Sequence, residues 1–159
     1  MFAKPQAEHQ WLDRLVGEWT YESVCQMAPD QPSQTTPGQM VARSLGGMWL
    51  LAESQGVCPE NGPWNGMMTL GYDVQNKRFV GSFVASMMSH LWPYAGTLDE
   101  AGRILTLGSE GPKMTGTGTA KYRDSIEIEN DNRWIMRSEL QDDDGKWHSF
   151  MTATYRRKI

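Results

Sequence analysis

Ala7-Glu8-His9-Gln10-Trp11-Leu12-Asp13-Arg14-Leu15-Val16-Gly17-Glu18-Trp19-Thr20-Tyr21-Glu22 holds two hydrophobic periods back to back. Before Gly17, the residues Trp11, Leu12, Leu15 and Val16 recur at helical spacing. Pro5 suits a first turn and Gly17 a C-terminal stop, so a helix is expected over residues 5–16. After Gly17 the period drops to two, with Trp19, Tyr21, Cys25 and Met27 on one face and Glu18, Thr20, Glu22 and Gln26 on the other. That is the pattern of a half-buried strand. A single amphipathic helix of about three turns is not stable alone in water, so its apolar stripe has to pack on whatever the strands build.

Working outward, the alternation recurs over residues 39–45, 48–57, 67–74, 79–88, 94–99, 103–109, 119–128, 133–140 and 147–156. The connections at Gly46-Gly47, 73–77, 99–102, 130–132 and 142–146 are short and rich in residues that tolerate turn dihedrals, which forces neighbouring strands to be antiparallel. No helical segment separates any two strands, so parallel crossover architectures are excluded. A meander of about ten strands hides its edges by closing on itself. The expected fold is therefore an all-β antiparallel up-and-down barrel, a single domain over residues 1–159, with strands across 17–157 and the helix closing one end. Two longer proline-bearing connections, 28–38 and 58–66, are expected to be loops flanking the mouth.

The composition sets limits on function. A chain of 159 residues with 39% hydrophobic and 21% charged residues has the balance of one globular core. Its formal net charge of -4 and the lack of any basic stripe speak against a nucleic-acid partner, and no apolar run is long enough to span a bilayer as a helix. The opening Met1-Phe2-Ala3-Lys4-Pro5-Gln6 lacks the pattern of a secretory signal, so a cytoplasmic location is expected. Cys25 and Cys58 then read as two small hydrophobes, not as a disulfide.

No GxSxG, HExxH, P-loop or GxGxxG pattern occurs, and the three histidines form no zinc-ligand spacing with the cysteines. The densest candidate for a binding site is Met88, His90, Trp92 and Tyr94, which share a face if the backbone stays extended past Pro93. Thioether, imidazole and amphipathic rings suit a pocket for a flat or flexible apolar molecule. The same residues would equally fill a barrel interior or form a subunit contact. Trp49 and Glu53 on one strand and Arg137 on another form a second group. Pointing inward, Glu53 and Arg137 would grip a polar head group; pointing outward, which charged residues prefer, they would be displayed to water. A third candidate is His148 with Phe150 on the last strand.

Several stretches carry a resemblance. They are Glu8-His9-Gln10-Trp11-Leu12 through Gly17-Glu18-Trp19, Leu45-Gly46-Gly47-Met48-Trp49-Leu50-Leu51-Ala52-Glu53, Gly71-Tyr72-Asp73 into Phe79-Val80-Gly81-Ser82-Phe83, Tyr94-Ala95-Gly96-Thr97-Leu98-Asp99, Asp144-Gly145-Lys146 and Tyr155-Arg156-Arg157. Together they resemble the bacterial domain-of-unknown-function family 1579 over nearly the whole chain. The resemblance implies a calycin-like barrel related in shape to lipocalins and nitrobindins, without an established activity. Gly17-Glu18-Trp19 also looks like the lipocalin Gly-x-Trp signature, in which the Trp plugs the barrel base beneath an Arg of the last strand; Arg156 or Arg157 would supply it. Nitrobindin-like barrels place a haem-ligating His on that strand, but the position aligned with it here is Thr152, so no cofactor is expected and haem is a minor alternative.

The expected function is a barrel that holds a small apolar or amphipathic molecule. The abundance of Met and Trp, 11 and 7 residues, favours an adaptable interior. The alternatives are an enzyme using His90 near Tyr94 and Glu53, and a structural domain that forms homo-oligomers through exposed aromatics.

Overall fold

Helix α1 spans Ala7–Asp13 in the computed structural model, which describes residues 2–159. It is shorter than the periodicity suggests. The N–H groups of Arg14, Leu15 and Val16 bond to carbonyls three residues back instead of four, which tightens the chain into turns and swings it into the first strand. The imidazole of His9 helps to fix the helix start, accepting at Nδ1 from the Gln6 N–H at 2.9 Å.

Ten strands follow: β1 Gly17–Cys25, β2 Gln34–Leu45, β3 Trp49–Cys58, β4 Gly62–Asp73, β5 Arg78–Ala85, β6 Trp92–Leu98, β7 Ile104–Pro112, β8 Thr119–Asn130, β9 Arg133–Gln141 and β10 Trp147–Arg157. Each pairs with its chain neighbours and β1 pairs with β10, giving a closed antiparallel barrel. The hairpin turns use the expected chemistry. Asp73, Asp99 and Asp142 each accept two backbone N–H bonds within their own turns, and Gly46 and Gly47 take positive φ values of 63° and 75°.

The two proline-bearing segments differ from expectation. Each is partly strand: β2 begins at Gln34 and β4 at Gly62. Pro37 and Pro63 are tolerated because the strands bearing them are paired on one side only at those positions; the β2–β3 ladder starts at Gly38 and the β4–β5 ladder at Gly66. In the opposite sense, β5 ends at Ala85, so Met88 lies in a connecting loop and not on a strand face.

Alternation places Trp19, Met40, Leu50, Leu70, Phe79, Leu105, Leu107, Ile126 and Trp134 inside the lower half of the barrel, each at most 2% exposed. Trp11, Leu12 and Leu15 of the opening segment close this end, and the Trp11 indole donates to the Gly102 carbonyl at 2.7 Å. The Gly-x-Trp arrangement resolves in favour of Arg157. Its guanidinium carbon stands 4.2 Å over the Trp19 ring, while its nitrogens donate to the carbonyls of Val16, Arg14 and Asp131. Gly17, at φ 139°, is required because a Cβ there would stand 2.3 Å from the Arg157 Nη1.

Candidate functional site

The end opposite α1 is built differently. Its inner face carries the small residues Ser23, Gly38, Ser54, Gly56, Gly66, Ser109, Gly111 and Ser138, and aromatic rings pack closely over the four glycines. A Cβ on Gly38 would fall 2.0 Å from the Tyr21 ring, and one on Gly111 would fall 2.3 Å from Trp92 and 2.9 Å from His90. Glycine in these strands therefore makes room for aromatics leaning over the mouth.

Four rings form an edge-to-face row: His90–Trp92 at 4.7 Å, Trp92–Tyr122 at 4.9 Å and Tyr122–Phe150 at 6.3 Å between centroids. The sequence singled out three of them. Tyr122 was missed because nothing on β8 distinguishes its period-two pattern from an ordinary core strand; its neighbours in space come from β6 and β10. The Tyr122 hydroxyl donates to the Pro112 carbonyl at 2.5 Å, and the His90 Nε2 lies 3.2 Å from the Glu110 carbonyl. Both bonds anchor the row to β7.

Below the row stands a carboxylate. Asp124 of β8 faces inward, accepting a hydrogen bond from the Tyr94 hydroxyl, which reaches it across β7, with the Ser138 hydroxyl of β9 beside it in register. Burial pushes the Asp124 carboxyl above its ordinary range, and the two hydroxyls only partly oppose the shift. Burial likewise raises Tyr94 and Tyr155, and pushes Tyr21 up to about 12, so the surrounding phenols are neutral donors. The wall encloses Asp124, yet it keeps accessible surface, as do the inward-facing Phe83, Ser109 and Met151.

The wall is weakest beside this group. The β6–β7 ladder runs only from Ala95↔Gly108 to Leu98↔Leu105, whereas β7–β8 is continuous from Ile104↔Glu127 to Pro112↔Thr119. Pro93, which has no N–H, pairs with Ser82 of β5 but sits on the stretch of β6 that lacks a partner on β7. A groove of about 650 Å³ covers this seam, bordered by Tyr94, Ser109 and Tyr122 and, on the outer wall, by Lys121, Arg123 and Trp147.

The remaining expected site residues divide. Trp49 and Glu53 lie on the outer face of β3, and Arg137 lies on the outer face of β9, where it pairs with Glu127 at 2.9 Å. The inward alternative for Glu53 and Arg137 is thus corrected: Leu50, Ala52, Met136 and Ser138 occupy the inner positions on those strands. Glu53 is also three strands away from β6, so it does not join His90 and Tyr94. Met88 is 39% exposed in its loop. His148 is at the rim, its Nε2 2.6 Å from Asp142 Oδ2; this contact holds the Asp142 carboxyl below its usual range.

The haem alternative meets a donor set that does not fit. Thr152 pairs with the outward Arg137, so its side chain faces away from the interior, where Met151 and Ala153 stand instead. Among the described residues no group of three or more His, Cys, Asp or Glu is placed to hold a metal ion, and no helix is long and apolar enough to cross a membrane. Cys25 and Cys58 are free thiols.

Similar structures share the barrel. The chain is similar to Rv2717c from M. tuberculosis, with a TM-score of 0.67 and 13% identity over 98% of this chain and 100% of that one. It is similar to the S-type phycobiliprotein lyase CPES from Guillardia theta, with a TM-score of 0.64 and 13% identity over 97% and 94%. It also resembles a redesigned beta barrel, mFAP0, bound to DFHBI, with a TM-score of 0.51 and 16% identity over 91% and 99%. At such identities these likenesses show the fold alone. No protein of curated function matches the sequence. The family described as "Protein of unknown function (DUF1579)" matches residues 4–157, nearly the whole chain, and the chain belongs to that family.

Proposed function

We propose that this chain is a binding protein that takes a small apolar or amphipathic molecule at the open end of its barrel, against the row of His90, Trp92, Tyr122 and Phe150. One observation carries the reading: Ser23, Ser54, Phe83, Asp124 and Met151, inward-facing in the upper half, keep accessible surface, while the largest inward side chains below, such as Trp19, Leu70, Leu105 and Trp134, are sealed. Rings held edge-to-face on glycine present flat apolar area at little entropic cost, which suits a flat guest. Among the similar barrels, a phycobiliprotein lyase and a DFHBI-bound design are consistent with small-molecule binding by this architecture. The free thiols accord with a protein of the cell interior.

Titration with naphthylethanol, a neutral flat probe, followed by tryptophan fluorescence and native mass spectrometry, tests the proposal. Saturable binding at one equivalent, weakened about tenfold or more by Trp92→Ala, is the expected result. An absence of binding both by this probe and by its amine counterpart naphthylethylamine, or binding indifferent to Trp92, overturns it.

A further inference from the structure

We infer that Asp124 is the recognition group of this site and that the ligand carries a protonated nitrogen: an aromatic or amphipathic amine or amidine, its ring among the rim aromatics and its nitrogen on the Asp124 carboxylate. The inference rests on the binding role proposed above and names the chemistry that role requires.

On β8 and β9, the strands around Asp124, the outward carboxylates are ion-paired and the inward one is not. On the outer face Glu127 is matched by Arg137 at 2.9 Å and Arg103 at 3.3 Å, Glu139 by Arg123 at 2.8 Å, and Glu129 by Arg133 at 2.8 Å. Asp124, the carboxylate that the wall encloses, has no Lys, Arg or His ion pair among the described residues. An enclosed carboxylate without a counter-charge is unfavourable, and a chain selected only for stability would place an apolar residue here. The Tyr94 hydroxyl orients it without neutralising it. A carboxylate offers roughly four acceptor sites, so most remain for an incoming donor.

A second, independent feature points to the same place. The Ser109 hydroxyl is buried and has no hydrogen-bond partner. Ser109 stands on the inner face of β7, diagonal to Asp124, because Leu107 pairs with Asp124 and Ser109 with Tyr122. A nitrogen with two or three N–H groups would use both. The rings above add the attraction of an aromatic face for a cation, and the seam between β6 and β7 gives access beside Tyr94. An anionic ligand would meet Asp124 repulsively, and a neutral one would leave its charge uncompensated.

The test compares two probes that differ in one group, naphthylethylamine and naphthylethanol, at neutral pH. Wild-type protein is expected to bind the amine at least about tenfold more tightly. Asp124→Asn, which keeps an oxygen for Tyr94, brings the two to parity, and Glu53→Gln on the outer face leaves the preference intact. Equal affinities in the wild type, or a preference that survives in folded Asp124→Asn protein, overturn the assignment while leaving the binding role standing. Failure of both probes overturns the two together. The wild-type comparison decides the matter even should Asp124→Asn not fold.

Discussion

The two ends of this barrel share one backbone and are filled by opposite rules. At the helix end, Trp19 meets Trp134 edge-on at 6.0 Å, Trp134 stacks on Tyr155 at 3.7 Å, and Arg157 seals the base over Trp19. At the mouth, glycine and serine replace branched aliphatics, rings lean over them, and a carboxylate stands without a cation. Under the binding role proposed above, the difference separates stability from recognition. The lower half removes apolar surface from water, each large side chain there contributing roughly 1.5 to 3 kcal/mol, whereas the upper half keeps a carboxylate without an ion pair and the unpartnered Ser109 hydroxyl.

The sharpest way to break this comparison is to truncate one aromatic in each half. Trp19→Ala should destabilise the fold by about 3 to 5 kcal/mol, through lost burial plus the cavity left behind, and should void the Arg157 contact. Trp92→Ala, by contrast, should shift the urea midpoint little and weaken probe binding. Equal losses of stability in both variants would show that the mouth is simply more core.

A smaller effect comes from the arginine pair at the base. Arg157→Ala removes three carbonyl hydrogen bonds and the cation over Trp19, and should cost about 2 to 3 kcal/mol. Arg156→Ala, on the outer face, should stay within about 0.5 kcal/mol of wild type. Denaturant unfolding of the two variants distinguishes them, and the reverse ranking would reject the role given to Arg157.

Asp124 gives a pH-dependent comparison. Its carboxyl is raised in the folded state, so the stability linked to it is full below the ordinary carboxylate range and is lost as pH rises through the raised value. Asp124→Asn should therefore be more stable than wild type at neutral pH, and the gap should close on acidification. A variant less stable at neutral pH would mean that the charged form is favoured in the free protein. The smallest change is expected at the rim. Asp142 is held below its usual range by His148 and by backbone N–H groups, so its contribution is present above the ordinary carboxylate value and fades as pH falls through the depressed one. Because the pair is solvent-exposed, Asp142→Asn should barely move the thermal midpoint.

Much of the fold was legible because strand and helix periods are local. The switch at Gly17, the turn aspartates and the paired glycines each announced themselves within a few residues. The prolines at 37 and 63 misled, since a proline's cost depends on whether a partner strand needs its N–H, and that partner is set by register. The site was legible in part. Of the residues placed in the candidate site, His90, Trp92, Tyr94 and Phe150 carry distinctive chemistry and stand out in the sequence. Tyr122, Asp124 and Ser138 were missed, as an aspartate amid Tyr122-Arg123-Asp124-Ser125 looks like a solvent-facing residue until parity is fixed.

Alternation along the chain, by itself, determined an antiparallel meander of about ten strands capped by one helix, because side chains that change sides at every step need a common core. Tertiary structure alone decided which parity is the inside on each strand and which residues from distant strands share a height within the barrel. Closure of β1 on β10 sets those heights for every strand at once, and no segment of the sequence contains the information that Tyr94 on β6 will meet Asp124 on β8.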